Sequence, residues 1–195
     1  MFDCIRPGDC VWDVGANIGL YSELFAAAVG PTGAVVSFDP SPDCVAEMEA
    51  RRQAGTARAA WRIVGAALSD EDGWAWLSVA DGNTAPGNHL ADRQGNATIQ
   101  VQKCRADSLV ASGYPPPSVI KIDVEGFEGE VLDGMGDLLA GRSVRAVCAE
   151  VHFGALSKRG KPAEPARLVR RLKELDFVLT WTDRSHLVAR RRGVW

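Results

Sequence analysis

The sequence predicts an α/β fold, a parallel sheet with helices on both faces. Three observations predict it. Short apolar runs alternate with helix-length segments along most of the 195 residues. The first run, Cys10–Val14, passes through Asp13-Val14-Gly15-Ala16-Asn17-Ile18-Gly19 into an apolar helical stretch, a strand, glycine turn and helix in sequence. Polar residues then fall at the ends of successive runs, where open parallel sheets bind their ligands.

The elements follow in order. Pro7-Gly8-Asp9 is a turn placed just before the first strand. The first helix is expected over residues 19–29, ended by Gly30-Pro31. Ala34–Phe38 is a continuous apolar run and reads as the second strand, ending at Asp39-Pro40-Ser41-Pro42. A helix follows over 43–54, then a third strand, Ala60–Val64, with 65–70 carrying the chain away from it. Residues 74–79 and Thr98–Cys104 alternate as strands do when one face is exposed. Between them, residues 80–97 are rich in Gly, Asn, Asp and Pro. A loop that long in a compact domain is expected to be functional or mobile. The stretch 74–104 is read as a β-excursion with a loop long enough to cover the site. A short helix is expected over 106–112, a fourth strand over 118–124, a helix over 128–139 and a fifth strand over 143–152. Residues 154–165 read as a polar loop, 166–175 as an amphipathic helix, and 177–182 with 185–191 as a closing antiparallel pair.

Composition bounds the function. The length suits one domain spanning 1–195, long enough for a two-sided core. The formal charge of −3 gives no argument for nucleic acid or an acidic membrane surface as partner. No run of about 18 apolar residues suggests a membrane span. The cysteines at 4, 10, 44, 104 and 148 are odd in number and form no C-x-x-C, so the expectation is free thiols in a reducing cytoplasm. The chain starts almost directly on its first strand, and a longer relative is expected to carry a segment before it. The runs Lys158-Arg159-Gly160-Lys161 and 190–192 are basic, either a solvated face or a contact for an anionic or carrier-bound substrate.

The turn discriminates between cofactors. Asp39 lies about 20 residues beyond the first turn, where an acid accepts both ribose hydroxyls of a bound nucleoside. A pyrophosphate needs glycine backbone at the helix start, in the pattern G-x-G-x-x-G. Here the pattern is G-x-N-x-G, with Asn17 in place of a glycine and Asp13 placing an acid toward the turn. A carboxylate repels pyrophosphate and suits the ammonium and sulfonium of S-adenosylmethionine. A nicotinamide-dependent dehydrogenase is disfavoured on that ground.

These stretches also resemble a family. VWDVGANIGLYS (11–22), VVSFDPSP (35–42), GAALSD (65–70), VIKIDVEGFEGEVLDGM (119–135) and CAEVH (148–152) are similar to the FkbM family of S-adenosylmethionine-dependent methyltransferases. The resemblance implies a class I methyltransferase fold, Rossmann-like, with a seven-stranded sheet whose last strand alone is antiparallel. It implies transfer of a methyl group to a hydroxyl of a sugar or natural product. By that resemblance Asp13, Gly15, Asn17 and Gly19 hold the methionine end of the cofactor, with Ala16, Tyr21 and Ser22 in the same motif. Asp39, with Pro40, holds the ribose, and Ala66 and Ala67 border the adenine. Relatives often carry Glu at position 39 and Asn at position 65.

Asp123 falls nearest the expected methyl, in both the cofactor-binding and the catalytic set. A hydroxyl nucleophile must lose its proton, so a base is required. Asp123, Glu125, Glu150 and His152 are the candidates, His152 because an ordinary imidazole titrates near neutrality. A divalent-metal site built from Asp123, Glu150 and His152 is the less favoured alternative. Glu128 reads as an acid at a helix N-terminus. The rival functions are an N-methyltransferase on the same scaffold and a non-catalytic cofactor-binding module of a biosynthetic assembly.

Overall fold

A computed structural model describes residues 1–55, 59–79, 89–91, 94–95 and 98–194. The chain forms strands β1 (Cys10–Val14), β2 (Ala34–Phe38), β3 (Ala60–Val64), β4 (Ala67–Leu68), β5 (Gly73–Ser78), β6 (His89–Ala91), β7 (Thr98–Cys104), β8 (Val119–Ile122), β9 (Ala146–Glu150), β10 (Phe177–Trp181) and β11 (His186–Arg191). The helices are α1 (Leu20–Val29), α2 (Pro42–Ala54), α3 (Ala106–Ala111), α4 (Glu128–Gly134), α5 (Phe153–Lys158) and α6 (Glu164–Glu174).

Seven strands make the main sheet, in the order β10-β11-β9-β8-β1-β2-β3. The pairs β1–β2, β1–β8, β2–β3 and β8–β9 are parallel. Only β11 runs against its neighbours, pairing antiparallel with both β9 and β10. The strand order reverses at β1, between β2 and β8, and that crevice is the topological switch point.

The apolar runs are continuous because the central strands are covered on both faces. Period-two alternation divides them between two cores. Trp12, Val14, Val36, Phe38, Ile120 and Ile122 belong to one, with α4 and α6. Val11, Val35 and Val119 belong to the other, with Phe25, Ala26 and Val29 of α1. Trp12 is fully buried and its indole N–H donates to the Pro115 carbonyl at 3.0 Å.

A buried polar row crosses the sheet on the α1 side. Ser37 of β2, Asp13 of β1, Lys121 of β8 and Cys148 of β9 are register neighbours in turn. Each is 8% exposed or less. Ser22 of α1, also buried, closes the row from above: its hydroxyl donates to Asp13 at 2.6 Å and accepts from Ser37 at 2.7 Å.

The excursion is a second sheet, β4-β7-β5-β6. The expected loop over 80–97 is interrupted by β6; residues 80–88, 92–93 and 96–97 lie outside the described residues. Two expectations are corrected. The helix expected over 128–139 ends at Gly134, because Gly136 adopts φ +50° and the chain tightens into a 3-10 turn over Gly136–Leu138. The polar loop expected over 154–165 contains α5, which buries Leu156. Among the described residues, no helix is long and apolar enough to cross a membrane.

Candidate functional site

Two cavities open at the C-terminal ends of the parallel strands. Gly15, Asn17, Asp39 and Pro40 line the first, beside Phe38, Leu68, Leu77 and Leu90. Tyr21, Lys121, Glu150, Asp183 and His186 line the second. Asp123 lines both.

The turn after β1 is built on two left-handed residues, Gly15 at φ +77° and Asn17 at φ +50°. A Cβ on Gly15 would overlap the Asp123 carbonyl, so only glycine lets β1 and β8 approach this closely. Asn17 tolerates its conformation because its side-chain oxygen accepts from the Ile18 N–H at 2.7 Å. Gly19, at φ +82°, caps α1 and packs against Met48 and Trp61.

Asp39 faces the same turn. Its carboxylate accepts from the Asn17 N–H and the Ser41 N–H, both at 2.9 Å. Burial pushes its carboxyl above the ordinary aspartate value, against the pull of those two N–H groups. It is a carboxylate in the cavity wall, and a ribose diol would supply it with further donors. The apolar side chains of Phe38, Leu68 and Leu77 in the same cavity suit a flat heterocycle. The residues present therefore fit a nucleoside-bearing cofactor.

Asp13 does not face that cavity. It is fully buried, accepts from Ser22, and lies 3.1 Å from Lys121 Nζ. Alternation along β1 turns Asp13 toward α1 while Val14, next in sequence, lines the cavity. Ser22 is buried in the same network, and Ala16 and Ala66 are buried away from the lining. Ala67 lines the first cavity, whereas Tyr21 lines the second. The motif expected to touch the cofactor throughout thus divides into a lining set and a supporting set.

Lys121 carries no role in the sequence reading. Its ammonium is held by the Gly15 carbonyl at 3.1 Å, Asp13 at 3.1 Å and Asp123 at 3.5 Å. Burial disfavours its charge, but Asp13 and Asp123 outweigh burial and hold its pKa above the ordinary lysine value. It is a fixed cation beneath Asp123, not a base. The available signal was a lone lysine between two isoleucines of an apolar strand.

His152 stands at the end of β9 with four carboxylates around it. Its Nδ1 donates to Glu128 Oε1 at 2.7 Å, and its Nε2 lies 3.4 Å from Glu125, 3.8 Å from Asp123 and 3.9 Å from Glu150. Burial opposes protonation, but Glu128, Glu125 and Asp123 override it and raise the pKa to about 9. Glu128 is fully buried and also accepts from the Gly126 N–H at 3.0 Å. Its helix-terminus reading is thus incomplete: it is the anchor of the histidine.

The metal reading is not borne out. The donor atoms that converge within 4.8 Å are those of Asp123, Glu125 and His152, without Glu150. Glu150 also faces His186 at 3.4 Å.

Similarity to known proteins agrees with this architecture. The chain is 33% identical over 155 residues to the hexuronic acid methyltransferase AglP of Haloferax volcanii, covering 75% of this chain and 57% of that protein. It is 33% identical over 178 residues to the 31-O-demethyl-FK506 methyltransferase FkbM of Streptomyces tacrolimicus, covering 76% of this chain and 67% of that one. The chain thus spans little more than half to two thirds of these relatives. The crystal structure of methyltransferase FkbM from Methylobacillus flagellatus KT superposes with a TM-score of 0.64 at 13% identity, covering 93% of this chain and 43% of that chain. Aeropyrum pernix fibrillarin, solved with natively bound S-adenosyl-L-methionine, shares the fold at a TM-score of 0.51 and 11% identity, over 94% of this chain and 66% of that one. The observed sheet is the class I methyltransferase sheet. The sequence model of the methyltransferase FkbM domain matches residues 13–179, and the chain belongs to that family.

Proposed function

We propose that this chain is an S-adenosylmethionine-dependent methyltransferase acting in the cytoplasm on a hydroxyl oxygen of a small acceptor, a sugar or natural product, free or carrier-bound. The observation that carries the reading is Asp123, shared by a cavity fitted to a nucleoside and a second cavity beside it. Family membership supports methyl transfer, and the Streptomyces tacrolimicus relative is named for an oxygen acceptor.

When bound, the cofactor supplies a sulfonium methyl group that leaves with the carbon–sulfur electron pair going to sulfur. Asp39 would hold the ribose hydroxyls on carboxylate lone pairs not used by Asn17, Ser41 and Cys44. Gly15, lacking a side chain, keeps the turn tight against β8. Asp123 orients the acceptor hydroxyl and takes its proton on a carboxylate oxygen. Lys121 and the His152 imidazolium hold that carboxylate in place from opposite sides of its pairings, at 3.5 and 3.8 Å. Alignment of nucleophile and methyl accounts for several kcal/mol of the barrier reduction, about 7 kcal/mol or more in well-oriented systems.

The test is incubation with S-adenosylmethionine and a panel of hydroxylated and amino acceptors, read by S-adenosylhomocysteine release and product mass. Methylation of hydroxyl acceptors, lowered about 10²-fold or more in kcat by Asp123→Asn, is the expected result. Methylation of amines alone would support the N-methyltransferase rival. Cofactor binding without turnover of any acceptor would support a non-catalytic module.

A further inference from the structure

We infer that Cys4 and Cys148 are a redox site, a thiol pair that hydrogen peroxide closes to a reversible disulfide, fastening the N-terminal turn to β9 in the wall of the second cavity. The inference is independent of the methyl-transfer reading.

Folding brings the two cysteines together from distant parts of the chain. Cys4 ends the 3-10 turn Phe2–Cys4, and Cys148 stands in the middle of β9. Cys148 and Ala146 point to the same face of the sheet, because side chains alternate along a strand. Cys4 packs on that face, in the buried cluster that holds Ala146, Cys148 and Val188. Charged contacts hold the turn there. Asp3 pairs with Arg190 of β11, the register neighbour of Ala146. The Cys4 carbonyl accepts from the Arg145 guanidinium at 3.5 Å, and Asp9 fixes that guanidinium at 2.6 and 2.9 Å. Within this frame the Cys148 thiol donates a hydrogen bond to the Cys4 sulfur.

The pair is asymmetric. The hydrogen bond from Cys148 lowers the Cys4 pKa to about 7 against the effect of burial, and the same bond and burial together raise that of Cys148. Cys4 is therefore the thiolate of the pair, and Cys148 keeps the proton. Burial pushes the other thiols up, to about 12 at Cys10 and Cys44 and about 11 at Cys104. Cys148 lines the second cavity beside Met1 and Phe2, so a small oxidant meets the pair through that wall. The Cys4 thiolate attacks one peroxide oxygen, the O–O bond breaks, and hydroxide leaves a sulfenic acid on Cys4. The Cys148 sulfur then displaces the sulfenic hydroxyl, which departs as water with the Cys148 proton, and the S–S bond forms. In sum two thiols give up two electrons and two protons, and peroxide becomes two waters. The new bond closes most of the chain into one loop and ties Met1 and Phe2 to the sheet.

The test treats the whole chain with hydrogen peroxide and reads intact mass, thiol count after denaturation, and a peptide map under non-reducing conditions. Wild type is expected to lose about 2 Da and to join the Cys4 and Cys148 peptides within one chain, and dithiothreitol is expected to reverse both changes. The thiol count is expected to fall by two from the five cysteines of the sequence. The melting temperature is expected to rise by about 5 °C or more, because a long loop is closed. Cys4→Ala and Cys148→Ala, made separately, are each expected to abolish the cross-link and the rise. The wild-type map decides the matter even if one variant fails to fold. Five thiols remaining, oxygen addition without a cross-link, a cross-link between other cysteines or between two chains, or an unchanged melting temperature overturns the inference.

Discussion

Replacing Lys121 by Met removes the cation from the buried polar row. Asp13 has no exposed side-chain surface and Lys121 has 10%, so solvent screens this pair little. The variant leaves Asp13 with the Ser22 hydroxyl and no counter-charge. Breaking a buried pair by removing one partner costs about 3–5 kcal/mol, mostly because a charge stays behind uncompensated. The loss is expected in urea unfolding at pH 7 as a lowered midpoint with unchanged slope. Adding Asp13→Asn to Lys121→Met removes the stranded charge and is expected to recover about 2 kcal/mol. As a control, the exposed pair Arg170–Glu174, each side chain 68% exposed, is expected to contribute less than about 0.5 kcal/mol. A loss below about 1 kcal/mol for Lys121→Met, or no recovery in the double variant, refutes the reasoning.

Two further outcomes follow from the geometry. The His152 pKa is raised from 6.5 to about 9 in the folded chain, worth on the order of 3 kcal/mol, so that stability is fully present below pH 6.5 and lost as pH rises through about 9. His152→Gln is therefore expected to be much less stable than wild type at pH 6 and to approach it at pH 9.5; a pH-independent difference in unfolding free energy contradicts this. Gly15→Ala places a side chain against the Asp123 carbonyl in a left-handed turn, and is expected to abolish S-adenosylhomocysteine binding and lower the melting temperature, measured by calorimetry and thermal unfolding.

The central sheet was legible because β1, β2, β8 and β9 are short apolar runs with polar residues at their ends. Doubly covered strands leave no polar alternation to confuse with a helix. The last hairpin was legible as two strands with too few residues between them for a crossover. The helix α5 was not. It has six residues, one of them buried, and a basic run at its end, so it shows no periodicity. The β-strand β6 was hidden in a glycine- and asparagine-rich stretch because three residues are too few to alternate.

Asp39, Gly15 and Asn17, singled out from turn geometry or position at a strand end, line the first cavity. Asp13, expected at the cofactor, is buried toward α1 beside Ser22 and Lys121. Its side-chain face depends on the register of β1 against β8, which local sequence does not encode. Lys121 was not singled out, and Glu128 was read only as an acid at a helix N-terminus, for the same reason. Their partners, Asp13 and His152, lie in other segments, and only folding brings each pair together.

The measurement that tests the central claim most directly is S-adenosylhomocysteine binding by titration calorimetry to the wild type and to Asp39→Ala. The wild type is expected to bind, with Asp39 accepting two hydrogen bonds from the ribose. Charged hydrogen bonds contribute about 1.5–3 kcal/mol each, so Asp39→Ala is expected to weaken binding by about 100-fold or more. Absence of binding to the wild type, or a variant within about twofold of it, contradicts the assignment of the first cavity to this cofactor.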